Sequence, residues 1–170
     1  MNLFPYQQSA IDFIKKNKKV YLAMGLGTGK TLTSLAAAVE VSNKNILVIA
    51  ELNEIENSKN FEREVETKLP HPWGYVSLRE NNFKLPNTDT WVCGINPDGL
   101  NKIDMKRVSS CFDVVIVDEA TMAKTTTTDR FKRIRKVCEA VEYVILLSGT
   151  PMMNGAAELY APLLYISTQK

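Results

Sequence analysis

The chain has 170 residues, the size of one ordinary domain, and 45% of them are hydrophobic, which suffices for one core and excludes a disordered polymer. The formal net charge is +2, so bulk charge argues neither for nor against a nucleic-acid partner, and any basic surface has to be local. The three cysteines (Cys93, Cys111 and Cys138) are odd in number with no CxxC pair, against a disulfide framework or zinc knuckle and in keeping with reduced thiols; no apolar run reaches membrane-spanning length.

The predicted elements form an alternating series. "FPYQQSAIDFIKKNKK" reads as a helix opened by Pro5, its lysines too early for a signal-peptide core. Nearly continuous apolar runs predict strands at Val20–Met24, Asn45–Ala50, Thr90–Ile95, Asp113–Val117 and Tyr143–Leu147, as in a parallel sheet covered on both faces. Amphipathic spacing predicts helices at Thr31–Val41, Ile55–Leu69 and Asp129–Ala140, and a last helix at Ala156–Ile166 with a kink or early end at Pro162. The only histidine, His71, sits between prolines in "LPHPWG", a loop, and is given no catalytic or metal role. The fold class expected is α/β, a doubly wound, mostly parallel sheet with helices on both faces.

Chemistry concentrates after three of the strands. In "YLAMGLGTGKT" an apolar strand runs into Gly25, Gly27, Thr28 and Gly29, then Lys30 and Thr31. Glycines let a loop wrap a phosphate with backbone N–H groups, and a helix opening at Lys30 aims its positive end at the same anion. Lys30 would reach the β and γ phosphates, and the Thr31 hydroxyl would hold Mg²⁺. The full GxxxxGK[ST] pattern has glycine where this chain has Met24. "FDVVIVDEAT" ends a strand on two acids. Asp118 would hold the metal, directly or from just outside its ligands, and Glu119 would polarise an attacking water. Two acids at the tip of an apolar strand are costly without a cation. "YVILLSGTP" puts Ser148 and Thr150 after another strand; alone they read as a turn.

Together, "PYQQ", "GTGKT", "DEA" and "SGTP" resemble, in order and spacing, the motifs of superfamily-two helicases, and most of all the Swi/Snf-type DNA-dependent ATPases. The stretch "LLSGTPMMNGAAELYAPLLYI" extends the likeness. The resemblance implies a RecA-like lobe over residues 1–170, with the second helicase lobe absent. It implies ATP and Mg²⁺ as ligands, Gln7 reading the adenine edge, and Ser148 and Thr150 coupling nucleotide to nucleic acid. It also implies a DNA partner, touched near Asn96 and by the basic face carrying Lys132 and Arg133, which otherwise reads as a solvated helix surface. Departures from the family pattern are Thr121 for histidine after "DEA", Glu51 for a strand-end proline and Ser58 for tryptophan. An arginine finger is worth roughly 10³–10⁵ in rate and comes from the missing lobe, so slow hydrolysis and no translocation are expected.

Two other readings compete. One is a stand-alone phosphate-loop protein, carried by a phage or mobile element, that binds or inhibits a replication factor. The other is a small nucleoside or shikimate-type kinase, which leaves "PYQQ" and "SGTP" unexplained. The expected location is the cytoplasm of a bacterium or of a phage-infected host, or the nucleoid.

Overall fold

The computed structural model describes residues 3–122, 125–150 and 156–167. The helices are α1 (Pro5–Asn17), α2 (Lys30–Val41), α3 (Asn60–Lys68), α4 (Val108–Cys111), α5 (Asp129–Ala140) and α6 (Tyr160–Ile166). The strands are β1 (Lys19–Ala23), β2 (Asn45–Ile49), β3 (Gly74–Ser77), β4 (Trp91–Ile95), β5 (Phe112–Val117) and β6 (Tyr143–Ser148). All pair in parallel in one sheet, in the order β1-β6-β5-β2-β4-β3.

The apolar runs explain the sheet. Side chains of Ile46, Leu47, Val48 and Ile49 alternate between its two faces, yet all are fully buried, because helices cover both sides. Ile11 and Ile14 of α1, Leu35 to Ala38 of α2, and Phe61 and Val65 of α3 pack on one face. Val108 of α4, Phe131 and Ile134 of α5, and Tyr165 of α6 pack on the other. Each large aliphatic side chain buried in this way contributes about 1.5–3 kcal/mol. All three cysteines are free and buried, and burial pushes the Cys93 and Cys138 thiols up, the latter to about 12.

The one-turn helix α4 was not expected, and three further elements differ from the sequence reading. Strand β3 was not expected; it is a half-buried edge strand of four residues with no long apolar run. The single helix expected over Ile55–Leu69 is two pieces, a π-helical turn at Asn53–Asn57 and then α3. Lys59 between them is left-handed at φ 50°, and the Glu54 carboxylate accepts from Ser58 Oγ (2.9 Å) and Asn60 Nδ2 (2.6 Å). These local bonds compete with the helical ladder. Pro162 kinks nothing: a 3₁₀ turn at Ala156–Leu159 leads into α6, and Pro162 falls in its first turn, where no intrahelical N–H is required.

Candidate nucleotide site

The loop after β1 is shaped as its glycines predict. Gly27 and Gly29 have φ of 74° and 77°, a left-handed backbone that suits glycine, and Gly29 caps α2. Thr28 N and Oγ1 both donate to Gly25 O, and Thr33 Oγ1 donates to Gly29 O, which closes the bend. Gln7 supports it from behind. Its Nε2 donates to Thr28 O at 3.1 Å, its Oε1 accepts from Phe4 N at 3.0 Å, and it is only 4% exposed. Tyr6 donates its hydroxyl to the same Thr28 carbonyl at 3.0 Å. "PYQQ" therefore braces the loop through two side chains. Tyr6 had no role in the sequence reading; a contact spanning 22 residues leaves no local signal.

The acids stand at the carboxyl end of β5, one strand beyond β6, which lies next to β1. Glu119 takes a left-handed backbone at φ 44°. Its carboxylate meets Lys30 Nζ at 3.6 Å and accepts from Gly149 N at 3.3 Å and Ser148 Oγ at 3.4 Å. Ser148 Oγ in turn accepts from Thr150 N at 3.1 Å. Positive φ costs a non-glycine residue free energy, and these three donors hold Glu119 in it. The ends of β1, β5 and β6 thus bring Lys30, Asp118, Glu119 and Ser148 into one cluster. Asn96 lies elsewhere, at the end of β4, and Lys132 and Arg133 lie on α5. Residues 151–155 of the "SGTP" stretch fall outside the described residues.

Asp118 is 8% exposed, and its carboxyl is pushed up from 3.8 to about 6. Burial is the main cause and the neighbouring Glu119 adds to it, while Lys30 and the Glu119 backbone N–H pull the other way. Protonation of the folded state is thus favoured over that of the unfolded chain. The buried charge weakens the fold above pH 6; the loss is relieved as pH falls through about 6 and is gone below about 4. A shift of this size amounts to about 3 kcal/mol. Asp118→Asn is therefore expected to melt higher than wild type at pH 7.5 without nucleotide, with the gap narrowing as pH falls through about 6 and closing below about 4. Thermal melts across that range check it, and parallel curves would refute the assignment.

Glu51 is paired rather than unpaired. Its carboxylate accepts from Arg130 at 3.1 Å, and Arg130 also donates to Asp98 at 3.3 Å, joining the ends of β2, β4 and the start of α5. On α5, Arg135 pairs with Glu139 and Arg133 lies 4.0 Å from Asp129, while Lys132 is exposed.

A parallel sheet with a glycine-braced loop, a lysine at a helix start and an acidic pair two strands away defines a RecA-like phosphate-loop domain. Residues 1–153 match the family described as Type III restriction enzyme, res subunit, and the chain belongs to that family. It corresponds to the N-terminal lobe of Swi/Snf-type superfamily-two helicases. The SWI/SNF-related matrix-associated actin-dependent regulator of chromatin subfamily A-like protein 1 of Xenopus tropicalis is 26% identical over 162 residues, 94% of this chain and 17% of that protein. The ATP-dependent helicase FUN30 of Saccharomyces cerevisiae is 28% identical over 183 residues, 98% of this chain and 16% of that protein. The Sulfolobus solfataricus SWI2/SNF2 ATPase core in complex with dsDNA superimposes with a TM-score of 0.80 at 25% identity, over 98% of this chain and 36% of that one. The chain thus spans about a sixth of the length of these two curated relatives. Among the described residues no helix is long and apolar enough to cross a membrane.

Proposed function

We propose that this lobe binds ATP with Mg²⁺ and hydrolyses it slowly on its own, as one half of a DNA-dependent motor whose other half is a second RecA-like lobe. The observation that carries this is the cluster of Lys30, Asp118, Glu119 and Ser148 at the ends of three neighbouring strands. The residues present suit the ligand. The amides of Gly25, Gly27, Thr28 and Gly29 and the Lys30 ammonium offer donors to phosphates, and Thr31 and Asp118 offer oxygens to Mg²⁺. A buried carboxylate such as Asp118 is costly unless a cation lies nearby. Bound, the metal would neutralise the triphosphate. Lys30 would hold β and γ phosphates, Glu119 would orient the attacking water, and Ser148 and Thr150 would relay the state of Glu119 to the coupling loop. Gln7 serves the nucleotide by fixing the loop through Phe4 N and Thr28 O, and the family resemblance also gives it the adenine edge.

Calorimetry with a non-hydrolysable ATP analogue and Mg²⁺ is expected to show one binding event; no heat would end this reading. Measured on residues 1–170 by themselves, ATPase activity is expected to be slow and unchanged by duplex DNA, because this stretch holds one RecA-like lobe.

For DNA we assign the contact to the end of β4 around Asn96 and the α5 face carrying Lys132 and Arg133. The Sulfolobus structure, solved on dsDNA, supports a nucleic-acid partner for this fold. Such binding is electrostatic and falls with salt. The double variant Lys132→Glu, Arg133→Glu is expected to lower duplex affinity at 50 mM salt by about tenfold or more and to flatten its salt dependence. Fluorescence anisotropy reads both; unchanged curves would remove α5 from the interface. The site of action is wherever DNA lies in the cell: cytoplasm, nucleoid or nucleus.

A further inference from the structure

We propose that a cavity beside the phosphate loop seats the ribose of the bound nucleotide, with the Glu64 carboxylate accepting hydrogen bonds from its hydroxyls. The inference rests on the nucleotide reading above and adds a residue that selects the sugar.

The cavity has a volume of about 350 Å³. Gly29, Lys30 and Thr31 line one side of it, and Asn60, Arg63 and Glu64 of α3 line the other. It is therefore continuous with the place where the phosphates would bind, and it reaches the low end of the size range of small-molecule pockets. Helix α3 supplies the second wall because Phe61 and Val65 anchor its other face in the core.

Glu64 Oε2 is buried and has no hydrogen-bond partner. A buried carboxylate oxygen without a donor is costly, and neither Arg63 nor Lys68, which line the same cavity, donates to this one. Phosphate oxygens cannot supply one, since they are acceptors and anionic. Among the described residues no group of three or more His, Cys, Asp or Glu could hold a metal ion there. Hydroxyls can donate, and ribose is the donor-bearing part of a nucleotide that directly follows the phosphates. Carboxylates take this role toward ribose in dinucleotide-binding folds. The cations on the same walls keep the cavity tolerant of an anionic ligand despite Glu64. These are Lys30, whose ammonium meets Glu119 at 3.6 Å, Lys68, and Arg63, which donates to Asn60 Oδ1 at 2.9 Å. The Gln7 amide, by contrast, is taken up at both ends by Phe4 and Thr28, so the sugar is read from α3 and not from α1.

The test compares ATP with its 2′-deoxy and 3′-deoxy analogues, each with Mg²⁺, by calorimetry on wild type, Glu64→Gln and Glu64→Ala. Wild type is expected to bind ATP about tenfold more tightly than at least one deoxy analogue, the loss of a hydrogen bond to a charged group. Glu64→Ala is expected to bring that ratio close to one by weakening ATP while leaving the deoxy analogue unchanged. Glu64→Gln keeps an acceptor and the side-chain shape, and is expected to retain part of the ratio and the wild-type melting point. Equal wild-type affinity for all three nucleotides, or an unchanged ratio in Glu64→Ala, overturns the assignment while leaving the phosphate site standing. Failure of every nucleotide to bind wild type removes the phosphate site and the ribose site together.

Discussion

Lys30→Ala is expected to abolish measurable binding of ATP·Mg²⁺. The ammonium is the cation at the centre of the cluster, with its side chain 15% exposed and its Nζ 3.6 Å from Glu119. Hydrogen bonds from a charged donor are worth about 1.5–3 kcal/mol each, so loss of contacts to two phosphates costs about a hundredfold or more in affinity. A second effect comes from the acids. Lys30 is the largest influence holding the Asp118 carboxyl down against burial and Glu119. Without it two carboxylates face each other with less compensation, and the triphosphate meets net negative charge. Calorimetry on the variant measures the loss, and near-wild-type affinity would separate Lys30 from the phosphates altogether.

Gly29→Ala is expected to lower the melting temperature by about 5–10 °C and to weaken nucleotide binding with it. At φ 77° a Cβ costs about 1–2 kcal/mol in backbone strain. It would also lie 2.5 Å from Gln7 Nε2, which has to give way and so surrenders its bond to Thr28 O, about 1 kcal/mol more. For a chain of this size each kcal/mol is worth about 2–4 °C. Gly27 is the control: its φ is 74°, but an added Cβ meets nothing within 4 Å. Gly27→Ala should therefore lose only the strain. Equal melting of the two variants would mean that Gln7 does not brace the loop.

Much of this site was legible because each part follows an apolar strand. A glycine-rich bend before Lys30, an acidic pair after Val117 and a serine after Leu147 declare themselves locally. The α5 boundaries were legible for the same reason: Thr128 caps the helix by accepting from Phe131 N at 3.2 Å. What could not be read is tertiary. The fit of Gln7 under Gly29, the grip of Gly149 N on Glu119 and the Glu64 wall all join residues distant in sequence. Strand β3 was missed because an edge strand is half exposed and needs no apolar run. The break at Lys59 was missed because hydrophobic spacing continues across it; the cluster Asn57, Ser58 and Asn60 was the available signal.

The neighbour of β1 in the sheet is β6, more than 120 positions later in the chain. During synthesis the glycine bend leaves the ribosome early but has no flanking strand to rest on until residues 143–148 emerge. The candidate nucleotide site therefore cannot be completed until β6 has been made. The central strands β2, β4 and β5 can pair first, and a nascent chain halted before Tyr143 carries every residue proposed to contact phosphate but lacks the strand that β1 pairs with.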